Sequence, residues 1–422
     1  RLGQRSRWGS EVDLVTQVGW TPKGQPGPAP VGRVQLRIDG SGNATAALHG
    51  AGAATVANTF KTRADATKGL AASFGIAGVV DGDAVWSVAE LNKVHAAFSR
   101  LSSGEVAAIR GVVLKRMKRL DEDGKPAAGL FETNHELSKD LKTATSTATL
   151  SLADDAFSHD LKNFIGGSAN AAPVSFQTIL HEVGHAVEEA ERYKARKTQF
   201  EATADYNRKT EVLETRRLAA NQSLTELNAE VTTVMPTING YRGKTAREAS
   251  SYVRAIDAVN PTIGNLIRAS TGAKATRTEA TARTALNRRN AARDALKKAA
   301  PTNPAPTDLA DLETKQDEAF KAGQERAVAL RDQEAAGTAR TGAVAAVTAT
   351  ETKDGKDTVT KRLKKFKDFV TKEKIPPLTK YASTDSGEFY AEAFSLYRAD
   401  PDYLRLVAPK LAAWFDRGEH LK

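Results

Sequence analysis

The sequence predicts an α+β fold that is predominantly α-helical, with a mixed part interrupted by a long helical stretch. Three observations predict it. Runs at 33–50, 109–120 and 148–157 have the composition and alternation of strands. Residues from about 196 to 359 are rich in Ala, Arg, Lys, Glu and Thr and poor in large apolar residues. Large apolar residues in helical register return on both sides of that stretch, at 176–187 and 363–396.

Composition narrows the possibilities. A chain of 422 residues has room for two or three domains and a full core. It is 40% hydrophobic and 27% charged, the balance of a soluble protein, and no run of 18 apolar residues offers a membrane span. No signal-peptide pattern opens the chain, although a start at Arg1 points to a trimmed terminus. With no cysteine, disulfides and thiolate ligands are excluded, so any metal must be held by histidine and carboxylate. The net charge of +10 would suit an anionic partner. The excess is scattered and lacks interleaved aromatics, so solvated Arg and Lys on helix faces are the expected reading. Nucleic-acid binding is the lesser one. Its best stretch is "RTALNRRNAARDALKK", with Arg283, Arg288, Arg289 and Arg293.

The elements follow in order. "GWTPKGQPGPAPVG" reads as linker. "RVQLRIDGSGNATAALHG" reads as a hairpin, with Val34, Leu36 and Ile38 on one strand and Ala44, Ala46 and Leu48 on the other. A weaker helix is expected near 54–74. In "WSVAELNKVHAAFSRLS", Ser87 and Glu90 make a capping box ahead of a stripe of Leu91, Val94, Ala97, Phe98 and Leu101. "IRGVVLKRMKRL" and "ATLSLADDAF" read as strands, and "DEDGKPAAG" as the turn after the first. The helical stretch includes two long segments flanking "PTNPAPT", which cannot stay helical, so an antiparallel helical hairpin is expected there. Beyond it, Leu363, Phe366, Phe369 and Val370 form a helix stripe under a basic face.

The chemistry is concentrated in "QTILHEVGHAVEEAERY". Phe176, Ile179, Leu180, Val183, Ala186 and Val187 recur at three- and four-residue steps, and Pro173 and Ser175 supply a start signal. On such a helix His181 and His185 share a face. Gly184 costs about 1 kcal/mol in a helix interior, which suggests that something approaches the backbone closely there. HExxH offers two imidazoles to Zn²⁺ and, in Glu182, a carboxylate able to take a proton from water. A catalytic zinc site needs a third protein ligand. No histidine follows at the HxxGxxH spacing. "GEFYAEAF" instead offers Glu388 and Glu392, four apart on one helix face among large apolar residues. Glu388 is the expected ligand, and the other carboxylate would hydrogen-bond a liganding imidazole.

"HEVGHAVEEAERY", followed by "LTKYASTDSGEFYAEAFSLYRADPDYLRLVAPKLAAWF", resembles the catalytic domain of anthrax lethal factor and of lethal-factor-like metallopeptidase toxins, which are gluzincins. The matching features are HExxHAV, a tyrosine seven residues before the ligand glutamate, the E-F-aromatic-A-E-A-F string and the "AP+" segment. "WSVAELNKVHAAFSRL" resembles that group's opening helix. The resemblance covers about 85–195 and 360–422. It implies a zincin-type metallopeptidase domain interrupted by a long, coiled-coil-like helical insertion. Residues 1–84 would form a linker and hairpin region, 85–195 and 360–422 the catalytic domain, and 196–359 the insertion. It also implies zinc held by His181, His185 and Glu388, with Glu182 as general base. Tyr381 would donate a hydrogen bond at the metal, and Glu392 would support a ligand from behind. The implied biology is a secreted or injected toxin or effector that cleaves a protein in a target cell, with a secretion or injection apparatus as partner. The alternative is a catalytically silent scaffold that binds a partner through its helical hairpin.

Overall fold

The computed structural model of the protein describes residues 59–122, 124–158, 174–242, 247–299 and 307–422, together with three N-terminal strands. These strands are β1 (Val12–Gly19), β2 (Val31–Ile38) and β3 (Ala44–His49), an antiparallel sheet in the order β1-β2-β3. The expected hairpin is β2–β3, with Leu36 opposite Ala46. The linker reading is corrected at both ends: Gly19 closes β1, and Val31 and Gly32 open β2. The period-2 run Val12, Leu14, Thr16, Val18 carried the missed strand β1.

The chain forms two compact units. The first comprises Arg1–His135, Ser146–Ala195 and Thr348–Lys422, and the second Glu136–Thr145 and Arg196–Val347. In the first, α1 (Arg63–Phe74) starts where the Thr62 side chain accepts from the Asp65 N–H, so the helix expected from residue 54 is shorter. Then come β4 (Gly78–Asp81), α2 (Val88–Phe98), α3 (Ser103–Ile109) and β5 (Val113–Arg116). The Ser87–Glu90 capping box of α2 is formed. The strand expected over 109–120 shrinks to β5, because Ile109 closes α3 and Leu120 opens β6 (Leu120–Glu122). β6 pairs with β7 (Lys125–Ala127) where a simple turn was expected. β8 (Gly129–Leu137) and β9 (Ala144–Leu152) follow, then the short α4 (Asp155–Ser158). The main sheet has the order β4-β5-β9-β8, with β4, β5 and β9 parallel. β8 is an end strand and runs antiparallel to β9: Ala153 N–H donates to Ala128 O at one end, and Ser138 N–H to Thr143 O at the other.

α5 (Val174–Arg242) runs 69 residues without a break. Ser175 lies in its first turn, and Pro173 is outside the described residues. The change after Tyr193 is therefore one of composition alone, since no breaker interrupts the helix there. In the second unit α6 (Arg247–Ile267) buries Tyr252, Val253, Ile256, Val259, Ile263 and Ile267 at three- and four-residue steps. The sequence reading missed α6 because Pro261, inside it, reads as a helix stop. α7 (Gly272–Ala299) and α8 (Thr307–Thr350) run antiparallel, for Arg331 meets Thr276, Gln324 meets Glu279 and Asp317 meets Arg289. The expected turn between them lies almost wholly outside the described residues.

A buried polar network joins these helices. Arg289, 1% exposed, donates to Asp317, Gln316 and the Glu313 carbonyl. Glu313 also takes Arg293 and the Tyr252 hydroxyl. Arg283 pairs with Glu279. Three of the four arginines singled out for nucleic acid are thus engaged within the unit. No helix among the described residues is long and apolar enough to cross a membrane.

The chain returns to the first unit through the hairpin β10 (Glu351–Asp354) and β11 (Asp357–Thr360). α9 (Lys361–Lys372), α10 (Ser386–Ala399), α11 (Pro401–Val407) and α12 (Pro409–Asp416) complete it. One core joins residues from both ends of the sequence: Leu91, Phe98, Leu114, Leu150, Phe176, Leu180, Val183, Phe366, Tyr390, Phe394, Trp414 and Phe415. Each large side chain so buried contributes about 1.5–3 kcal/mol. A polar clamp closes this core. Glu105 on α3, wholly buried, takes hydrogen bonds from Arg398 at 2.7 Å and His420 at 2.7 Å.

Burial opposes the charge of Glu105, but His420 and Arg398 outweigh it and hold its pKa below the ordinary value. A depressed folded pKa means its contribution is complete well above about pH 4.3 and is lost as pH falls through the lower folded value. Glu105→Ala leaves Arg398 and His420 without their partner, so a loss of about 3–5 kcal/mol in urea unfolding at pH 7 is expected. The deficit should shrink as the medium is acidified.

Candidate metal centre

The site is made where α5 crosses α10. Gly184 faces α10 so closely that a Cβ there would stand 2.9 Å from Ala391 Cα and 3.3 Å from Ala391 O. This is the close approach expected at Gly184. Ser395 Oγ donates to Gln177 O at 2.7 Å, one contact further along. The pairs 177 with 395 and 184 with 391 make the two helices antiparallel, which places Glu388 beside His181 and His185. At the far side, Thr360 hydrogen-bonds Glu188, and Arg362 donates to Val187 O and, at 3.2 Å, to Glu191. The residues that lead into α9 are thereby tied to α5 just past the histidines.

α10 presents Glu388 from its first turn. Asp385 is the N-cap and accepts from Gly387 N–H and Glu388 N–H. The helix N-terminus favours an anion there. His181 Nε2 lies 3.2 Å from His185 Nε2 and 3.0 Å from Glu388 Oε2, and His185 Nε2 is 3.7 Å from Glu388 Oε1. One donor atom from each of the three residues lies within 4.8 Å of the others. Two facing Nε2 atoms can share at most one hydrogen. Glu388 Oε2 is buried with no hydrogen-bond partner of its own among the described residues. One cation would satisfy all three donors, and two imidazoles with a carboxylate is a zinc donor set. The residues fit Zn²⁺.

The charges around this point are strongly coupled. Burial disfavours the imidazolium of His185, but the adjacent carboxylate of Glu388, with those of Glu182 and Glu188, raises its pKa to about 9. Burial opposes the charge of Glu388 as well, yet the two imidazoles hold it far below the ordinary range. Burial and the neighbouring Glu189 raise Glu188 to about 7, against the Thr360 hydroxyl and Arg192. Glu189 is paired with Arg192.

The predicted residues share one pocket of about 170 Å³, lined by His181, Glu182, His185, Tyr381 and Glu388, with Gly129, Leu130 and Phe131 from β8 and Glu188 and Glu189 from α5. Glu182 is 4% exposed. Tyr381 is 49% exposed, its ring 6.0 Å from that of His181. Glu392 is placed differently from the expectation. Both of its oxygens take the Thr379 hydroxyl, at 2.8 and 2.7 Å, and among the described residues it hydrogen-bonds neither histidine. Burial raises its pKa, with the Thr379 bond opposing. Thr379 Oγ1 also accepts from Ala382 N–H at 3.1 Å, so Glu392 anchors the turn that carries Tyr381.

The sequence reading missed β8, Thr379 and the pocket role of Glu188. Glu188 was findable, since residues 181, 185 and 188 share a helix face. Two substitutions probe the assembly. Gly184→Ala must part the helix backbones, so a loss of about 1–3 kcal/mol and weaker zinc binding are expected by unfolding and chelator competition. Thr379→Val strands a buried carboxylate and should cost about 1–3 kcal/mol, with Thr379→Ser close to wild type. Comparison with protein-family models, curated proteins and solved structures finds no match to this chain.

Proposed function

We propose that this chain is a zinc-dependent endopeptidase. One observation carries the proposal: His181, His185 and Glu388 converge within 4.8 Å, with Glu182 beside them on an open pocket. Bound zinc would supply a Lewis acid that polarises a carbonyl and lowers the pKa of water to about 7. His181, His185 and Glu388 would hold it. Glu182 takes the proton of the attacking water and passes it to the amine as the C–N bond breaks, leaving a carboxylate and an amine. Tyr381, on the pocket rim, donates to the oxyanion, a role in which one donor is worth about 3 kcal/mol. β8 is the end strand beside the pocket, and an extended peptide can hydrogen-bond along such an edge. The motif resemblance to lethal-factor-like toxins supports a zincin-type catalytic domain. It extends the proposal to an effector that cleaves a protein inside a target cell, delivered by a secretion or injection apparatus.

The test compares the wild-type protein with Glu182→Ala in eukaryotic and bacterial lysates, mapping new N-termini by mass spectrometry. New termini are expected with wild type alone, at equal zinc content, and should vanish when a chelator strips the metal. Identical termini with both proteins, or none with either, would reject the proposal.

A further inference from the structure

The start of β8 touches the candidate general base. A Cβ built on Gly129 would stand 2.6 Å from Glu182 Cγ, 2.6 Å from Oε1 and 2.8 Å from Cδ, well inside contact distance. The glycine is not demanded by its own backbone, for Gly129 is not among the residues with positive φ. Alanine could therefore adopt its conformation, and what forbids the extra carbon is the Glu182 side chain. The atoms in the way are the outer ones of the Glu182 side chain, which lines the pocket, so it is the carboxylate end that an added methyl would push aside.

We infer that Gly129 is a positioning residue: its bare backbone forms the wall against which the Glu182 carboxylate is set beside the His181–His185–Glu388 group. This rests on the peptidase reading of the site. It assigns the first residue of β8 a role beyond pairing with β9. Geometry at a general base must be held within fractions of an ångström, and such a base contributes about 10²–10⁴-fold. A methyl group at 129 displaces the carboxylate rather than the helix that bears the ligands, so zinc binding survives while proton transfer suffers.

The experiment uses the full chain as wild type, Gly129→Ala, Glu182→Ala and the double variant. Readouts are kcat and KM on the peptide best cleaved in lysate, zinc affinity, and the pH dependence of the visible spectrum after Co²⁺ substitution. Gly129→Ala is expected to lower kcat at least about tenfold, with KM and zinc affinity within about twofold of wild type. Its Co²⁺ spectral midpoint should move in the same direction as that of Glu182→Ala. In the Glu182→Ala background the second change should have no further effect. Equal losses in both backgrounds, or wild-type behaviour of Gly129→Ala, would overturn the inference while leaving the peptidase intact. If wild type and Glu182→Ala are alike in every readout, the peptidase reading itself fails and the inference with it. Should Gly129→Ala not fold, recovery of folding in the double variant supports the steric conflict, and failure of both refutes it.

Discussion

The contact between Gly184 and Ala391 is the constraint on which the site depends. Two helices whose contacting residues lie about 200 positions apart in sequence meet there almost backbone to backbone. The candidate metal ligands flank that point, His181 and His185 on α5 and Glu388 on α10. The separations of the two imidazoles from Glu388, 3.0 and 3.7 Å, are reached from backbones that this helix crossing brings together. Interiors packed to this density transmit strain instead of absorbing it. A wider crossing would draw Glu388 away from both imidazoles at once.

The crossing also gathers charge that must be managed. Glu182, Glu188, Glu189 and Glu388 line one small pocket. They are not equivalent. Glu388 sits at a helix N-terminus opposite two imidazoles, so its anionic form is favoured. Glu189 is neutralised by Arg192. Glu188 and Glu392 are pushed up by burial and hold to hydroxyls of Thr360 and Thr379. The Glu388 carboxylate is kept ionised while burial disfavours the charge of two neighbours, Glu188 and Glu392. That division presents one strong anionic donor without piling up repulsion around it.

Much of this was legible in the sequence, for reasons that differ from element to element. The face shared by His181 and His185 follows from helix geometry, and the apolar residues at three- and four-residue steps over 176–187 read as that helix. Gly184 was readable as a close approach, although the partner, Ala391, was not. Glu388 and Glu392 stood out as carboxylates among large apolar residues, yet the different partners they take depend on where the turn at Thr379 lands. β8 was hidden because "GLFETNHEL" mixes charges and polar groups into a strand with much solvent exposure. α6 was hidden behind Pro261, and the unbroken α5 behind a change in composition that carries no stop signal. Local signals were read well where burial is one-sided and periodic. They failed where tertiary pairing overrode weak propensity.

The long intervening segment costs the site little. It is not a slack loop, for α6, α7 and α8 bury a core of their own. The real requirement is that the chain re-enter at the right place. Thr360 and Arg362 meet it by bonding Glu188, Val187 and Glu191, within two turns of His185. Arg362 is 6% exposed, and a buried guanidinium aimed at a helix carbonyl fixes that junction with a direction as well as a distance. From there α9 and the loop to Asp385 deliver Glu388 to α5. Glu388 is thus registered against His181 and His185 by polar contacts made before α10 begins. The helix crossing at Gly184 then needs only to close a geometry already aligned.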